Sequence, residues 1–447
     1  MPLGKPQDLQ INLPFLSRGD HMKRLRQVNL QVEDLPTRWY NIIPDLREPL
    51  PPPQGDMTAM GRTMIKECLA QEFSQDNWVE IPEELQELYH QIGRPRPLLR
   101  AVNLEKLLDT PAELYYKAEG LYSPTGSHKI NTALAQAYYA KKQGLQRLVT
   151  ETGAGQWGTA LACAARITGL SATIYWVRAV YKWKDARRDL MKLYGAEVHA
   201  SPSQNTETGR RLLKSSPDHP GSLAIAISEG LEDALSDSKA AYVLGSVLNH
   251  VLLHQTIIGL ECRKQLEMID RYPDVVVSCL GGGSNFGGIA LPFLGDVLTK
   301  GKKTRFVAAQ SESAPNLQGE YRYDNADYSG ITPKLKMYTL GHTKDMPPIF
   351  GDGLRYHGCS PILSLLRNRG YIDTVAYPVD EKYVFESAKT FLCEEGFLPA
   401  PESAYSIAAA IDEATKCRES GERKVILFNI SGHGFMDMEG YRQVLRM

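Results

Sequence analysis

From Arg147 onward, short β-branched or apolar runs alternate with helical patterns, and few folds accept such a chain. Strand patterns at 147–150, 172–177 and 197–200 are separated by helical patterns at 156–168 and 184–194. After a gap the alternation resumes with strand 275–280, helix 286–298 and strand 304–309, and it closes with helix 402–418 and strand 424–428. Repeated βα units bury both faces of a parallel sheet beneath helices, so the expected class is α/β, and two runs of units imply two lobes. Ligands of such folds sit beyond the carboxyl ends of the strands. Upstream, residues 36–56 carry six prolines and Gly55. Proline lacks a backbone donor and locks φ, so this stretch is expected to be an extended arm wrapped on another surface.

The charges exclude several function classes. With 51 Lys+Arg against 52 Asp+Glu there is no basic footprint for nucleic acid or anionic lipid. The most apolar helical stretch, 247–260, is broken by Asn249, His250, His254 and Gln255, too polar to cross a bilayer. Seven cysteines lie far apart without a C-x-x-C pair, against a disulfide framework or zinc knuckle and in keeping with a reducing cytoplasm. Small-molecule chemistry is the remaining default. Residues 1–21 lack a secretory pattern and are set apart as a leader or an added tag, with Met22 as the candidate native start.

Four segments carry candidate chemistry. Ser127, His128, Lys129, Ile130 and Asn131 follow the Gly126 turn and open an apolar helix. An amine desolvated there loses its proton more easily, as Schiff-base chemistry requires. Gly281, Gly282, Gly283, Ser284 and Asn285 stand between a strand and a helix, where glycine amides and a helix N-terminus favour a phosphate. This is not a dinucleotide fingerprint, because Phe286 holds the place of its last glycine. The run Gly153, Ala154, Gly155, Gln156, Trp157, Gly158 does match G-x-G-x-x-G, yet the acidic residue needed some way downstream is missing. Glu151 beside it instead suggests an anion loop for a small carboxylate, next to a carboxyl that moves protons. Asn429 to Gly434 follow the last strand as a polar turn. His250 and His254 are four apart, but Val251 replaces the glutamate of a metalloprotease helix, so two satisfied helix histidines are expected and no metal. Arg187 and Arg188, and Lys300 to Lys303, read as solvated.

Taken together, residues 95–440 resemble the tryptophan synthase beta-chain family, with the segments in its order and at similar spacing. The resemblance implies a two-lobed fold-type II pyridoxal-phosphate enzyme. Residues 22–94 and 125–245 would form an N-terminal lobe with the arm and the lysine, and residues 95–124 and 246–447 a C-terminal lobe with the cup. It further implies that Lys129 bonds pyridoxal 5'-phosphate, with His128, Asn131, the 281–285 cup, Glu402 and Ser431 around the cofactor. Glu151 would be the second catalytic group, and Thr152, Gly153, Ala154, Gly155 and Gln156 would hold the substrate carboxylate. A homodimer, an alpha-chain partner and a monovalent cation on backbone carbonyls near Gly281 and Gly358 are family expectations as well.

Two departures point to the divergent second branch of that family. Arg355 stands where an aspartate is usual, and Trp157 replaces a histidine. A guanidinium offers a donor fork suited to phosphate, so O-phosphoserine is expected in preference to serine as the partner of indole. The other readings are a serine or threonine dehydratase, in which water takes the place of indole, and a silent partner of an alpha-type chain. Retention of Lys129, Glu151, Glu402 and Ser431 argues against the last.

Overall fold

The computed structural model describes residues 26–447, so the leader and the junction at Met22 lie outside the described residues. Two sheets dominate. The larger has seven strands in the order Gln27–Val28, Leu98–Arg100, Glu113–Lys117, Val425–Asn429, Val275–Cys279, Arg305–Ser311, Asp373–Tyr377. Its first two pairings are antiparallel and the other four parallel. The smaller has four parallel strands, Glu197–Ser201, Ser171–Val177, Arg147–Thr152 and Ala240–Tyr242. Gln27–Val28, which the sequence assigns to the first lobe, pairs with Leu98 and Leu99 in the large sheet.

Strand Val275–Cys279 is buried throughout, because helices cover both faces of the sheet and each side chain meets an apolar layer. The two-residue alternation separates these layers. Val276 and Leu427 enter one core, while Val275, Val277, Ile426 and Phe428 enter the other. In the small sheet, strand Arg147–Thr152 runs two residues past the sequence pattern, because Glu151 and Thr152 continue to pair with Tyr175 and Trp176. Both functional candidates therefore ride on a strand end rather than on a free loop. Helix Gln156–Thr168 has the expected bounds, and helix Pro401–Ser420 begins one residue before its pattern.

The proline arm is not wholly extended. It holds the short strand Arg38–Tyr40 and a single 3-10 turn, Ile43–Asp45. Pro44 is tolerated there because the start of such a turn needs no donor from it. Trp39 is fully buried with its ring 4.6 Å from that of His254, and Gln54 bridges Lys334, so the arm is fastened to its own chain. No helix among the described residues is long and apolar enough to cross a membrane. All seven cysteines are free thiols, and Cys393 alone among them is exposed.

Beneath the lysine segment lies a fully buried cluster of three cations and two carboxylates. Arg94 meets Glu119 at 2.7 Å and also Glu261, Arg96 meets Glu119, and Lys117 meets Glu261 at 2.7 Å. Burial alone would raise the Glu119 carboxyl, but Arg94 and Arg96 outweigh it and hold it below its usual range. The Asn131 amide donates to Glu119 at 2.8 Å and its oxygen accepts from Arg94 at 3.1 Å, which ties the helix after Lys129 to this cluster. Replacing Glu119 by leucine takes away the carboxylate paired with Arg96 and one of the two paired with Arg94, and the expected cost is about 3–5 kcal/mol of stability. Thermal unfolding should show a large drop in the midpoint, whereas Glu84→Ala, which breaks the exposed pair with Lys142, should leave it unmoved.

Candidate active site

Three loops from strand ends meet at Lys129. The lysine segment is pinned by backbone pairing to the turn after strand Val425–Asn429. Ser127 bridges Gly432, His128 N–H donates to the Ser431 carbonyl at 2.9 Å, and His433 N–H donates to the Gly126 carbonyl at 2.9 Å. His128 Nε2 lies 3.2 Å from Ser284 Oγ, which joins the same segment to the glycine cup after strand Val275–Cys279. Gly283 has φ +121°, a conformation that only glycine adopts without strain, and the helix Ser284–Lys300 starts immediately after it. The first-turn amides of that helix have no intrahelical acceptor and so point to an anion site.

A cavity lies between the sheets, with Lys129, Glu151 and Gly282 on its wall together with Thr152, Gly153, Ala154, Gln156 and Trp157. Lys129 is half-buried, open only on this side, and its amine donates to the Gly245 carbonyl at 3.2 Å. Burial pushes its pKa down to about 8 against the opposing pull of Glu402 and Glu151. Burial likewise raises the Glu151 carboxyl, opposed by hydrogen bonds from Tyr242 and, at 3.3 Å, Thr150. His128 is held well below its ordinary value by burial and by the neighbouring lysine, so its ring is neutral. In the carboxylate loop, Gly155 has φ +88°, and a Cβ there would stand 2.5 Å from the Trp176 ring. The close approach to Trp176 leaves no room for a side chain at this turn of the loop.

A model of the family described as pyridoxal-phosphate dependent enzyme matches residues 90–432. The tryptophan synthase beta chain 2 of Pyrococcus abyssi is 55% identical over 419 residues, 92% of this chain and 94% of that one. The chain of the same description from Methanothermobacter thermautotrophicus is 52% identical over 427 residues, 94% of this chain and 99% of that one. This chain belongs to the tryptophan synthase beta family. Among solved structures, a fungal L-serine ammonia-lyase from Rhizomucor miehei shares the fold, with a TM-score of 0.57 at 16% identity over 78% of this chain and 97% of its own. Serine racemase from Dictyostelium discoideum does so at a TM-score of 0.55 and 18% identity, over 78% and 97%.

The cofactor of this family member is pyridoxal 5'-phosphate, and the residues present fit it. A lysine amine whose pKa burial lowers to about 8 opens on the cavity, and a glycine cup stands beside it. The cup admits no side chain, since a Cβ on Gly282 would lie 2.6 Å from Ser246 Oγ. Buried His128 Nδ1 has no partner among the described residues and is available to a bound group. Ser431 Oγ, 2.9 Å from Ser403 Oγ and 3.8 Å from Cys279 Sγ, lies at the end of the last strand.

Other expected residues are turned elsewhere. The Asn131 side chain belongs to the buried charge cluster. Asn285 donates to Ser278 Oγ at 2.7 Å and to the Cys279 carbonyl at 3.0 Å, bracing strand ends behind the cup. Glu402 uses one oxygen to accept from Gln156 Nε2 at 2.8 Å and the other from Gly353 N–H at 2.9 Å, linking two loops that border the cavity. Arg355 is outside the cavity wall, 3.3 Å from Asp352 and 2.9 Å from the Met346 carbonyl. The carbonyls of Gly281 and Gly358, expected near a cation, both accept from the side-chain amide of Asn316.

Arg187 corrects the sequence reading of a solvated pair, for it is fully buried against Asp437. Nearby, Lys184 lies 3.1 Å from Asp437 and 3.4 Å from Asp352, a residue of the cavity wall that burial pushes up to about 6. Gly245, Ser246, Asp352 and Lys184 were missed from the sequence. A Gly-Ser pair shortly after strand Ala240–Tyr242 was the available signal for the first two, and no local pattern marks the others. His250 and His254 are satisfied by Glu72 at 2.8 Å and Gln71 at 2.7 Å.

The lowered Lys129 pKa sets a testable pH dependence. Cofactor-free protein should take up pyridoxal phosphate faster as pH rises towards about 8, where the amine loses its proton, and the rate should level off above that. Stopped-flow absorbance across this range checks it, and a rate still climbing towards the ordinary lysine value of 10.5 would contradict the geometry.

Proposed function

We propose that this chain joins indole to the C3 carbon of a serine-type donor to give tryptophan, with O-phosphoserine preferred, and that Lys129 and Glu151 carry the proton transfers. The observation that carries the reading is the position of Glu151. It lies on the wall shared by the cavity that holds Lys129 and a second, apolar cavity lined by Met60, Met64, Ile227 and Leu231. A flat apolar nucleophile suits the second space and a zwitterionic amino acid the first, so the two would meet at this carboxyl.

Bound pyridoxal phosphate supplies the electron sink that lets the α-hydrogen and then the C3 substituent of the donor depart. The chain supplies the rest. The amides of 153–156 hold the donor carboxylate, which fixes the α-hydrogen near Lys129 Nζ. That amine, whose pKa burial lowers to about 8, takes the proton. Glu151, its carboxyl raised by burial, keeps a proton to give to the departing group and afterwards removes one from indole. A hydroxyl from Ser431 facing the ring nitrogen would not hold a proton there, which favours loss of the C3 group over transamination. The apolar cavity keeps water from the reacting carbon, which weighs against the dehydratase reading.

Asp352 supports the donor preference. It sits between two cations, Lys184 and Arg355, with Arg187 bound to the adjoining Asp437. A phosphoryl group reaching this corner would exchange a carboxylate partner of Arg355 for a doubly charged one. A homodimer and an alpha-chain partner belong to the same proposal and rest on the family alone.

Product assays with indole and each donor test the reading: tryptophan is the expected product, whereas pyruvate alone would establish the dehydratase. Glu151→Gln should lower kcat by about 10²–10⁴ with little change in donor binding followed spectroscopically. Arg355→Asp should reduce the ratio of kcat/KM for O-phosphoserine over serine by about tenfold or more. An unchanged ratio would refute the donor preference while leaving the reaction itself intact.

A further inference from the structure

Asn316 is fully buried in a single 3-10 turn, Asn316–Gln318, shortly after strand Arg305–Ser311 of the large sheet. Its Nδ2 lies 2.9 Å from the Gly281 carbonyl, 3.1 Å from that of Tyr356 and 2.9 Å from that of Gly358. Gly281 is the first glycine of the cup, and Tyr356 lines the substrate cavity. Two hydrogens thus serve three convergent carbonyl oxygens from two chain segments, and all their negative ends point at one nitrogen. Gln310 Nε2 in turn donates to Asn316 Oδ1 at 2.7 Å. The reversed amide would press an oxygen into three others, at the cost of buried acceptors left facing one another.

A monovalent cation bound by the Gly281 and Gly358 carbonyls would have to occupy the place of this nitrogen. We propose that the Asn316 side-chain amide takes the place of that cation, locking the cup to the Tyr356–Gly358 segment, so that this enzyme needs no sodium, potassium or ammonium ion. Asn316 is a positioning residue: it acts on the cofactor cup and the cavity wall through the backbone and touches neither substrate nor cofactor itself. Removing the amide leaves three carbonyl dipoles converging on a hole, a ready ligand set for an ion of suitable size.

The test begins with wild-type holoenzyme desalted into tetramethylammonium buffer and then given sodium, potassium, caesium or ammonium chloride at a constant ionic strength of about 0.1 M. Tryptophan formation should stay within about twofold across these salts, and the cofactor absorbance and Tm should not depend on the ion. Asn316→Ala should lose about tenfold or more in tetramethylammonium and regain most of it with potassium or ammonium, accompanied by a rise in Tm that the wild type lacks. Wild-type activity or Tm that climbs with an added ion overturns the proposal, as does a loss in Asn316→Ala that no ion repairs. The wild-type measurements decide the matter even if the variant does not fold. Tm and absorbance do not depend on which amino acid is consumed, so a failure here is separable from a failure of the proposed reaction.

Discussion

Everything about this site depends on keeping one amine out of water. An ordinary lysine is almost wholly charged at neutral pH and cannot act as nucleophile or base. Burial of Lys129 brings its titration to about 8, and the carboxylates Glu402 and Glu151 limit how far it falls. The position has to be enforced from outside, since a flexible side chain would otherwise swing towards solvent. Backbone pairing of Ser127 and His128 with the 431–432 turn provides that enforcement, and the Asn131 contacts with Glu119 and Arg94 anchor the following helix from below.

The same division of labour runs through the rest of the site. Lys129 and Glu151 face the cavity, while the charged side chains beneath it are paired with one another. The Arg94, Arg96, Lys117, Glu119, Glu261 cluster contributes little net stability for its size, because desolvation of five ions offsets their attraction. Its effect is geometric. The ions come from three places along the chain, 94–96, 117–119 and 261, so with Asn131 the cluster fixes how strand Glu113–Lys117, helix Ile257–Met268 and the lysine helix sit together.

Much of the architecture was legible in the sequence, for physical reasons. Buried parallel strands must be apolar along their length, and the turns after them must be glycine-rich wherever backbone approaches a ligand, so 275–285 and 147–158 announced themselves. Strand ends were less clear, because pairing of Glu151 and Thr152 depends on Tyr175 and Trp176 across the sheet. Side-chain direction was the main loss. The Asn131 amide turns to Glu119 and Gln255 in the buried charge cluster, and that of Asn285 to Ser278 and the Cys279 carbonyl on the strand before it. Arg187 read as solvated because its partner, Asp437, is 250 residues away. Asn316 carried no motif, since the carbonyls it gathers are backbone atoms that no residue type reveals.

The two-handed grip of Glu402 has a consequence for redesign. One oxygen steadies Gln156 in the loop beside the donor, and the other steadies Gly353 in the loop that leads to Arg355. A Cβ at position 353 would fall 2.8 Å from that second oxygen, so the linkage tolerates no bulk. Variant libraries that diversify either loop alone will strain the other through this carboxylate. Altered amino acid scope is therefore more accessible when 153–156 and 353–356 are randomised as one combined unit.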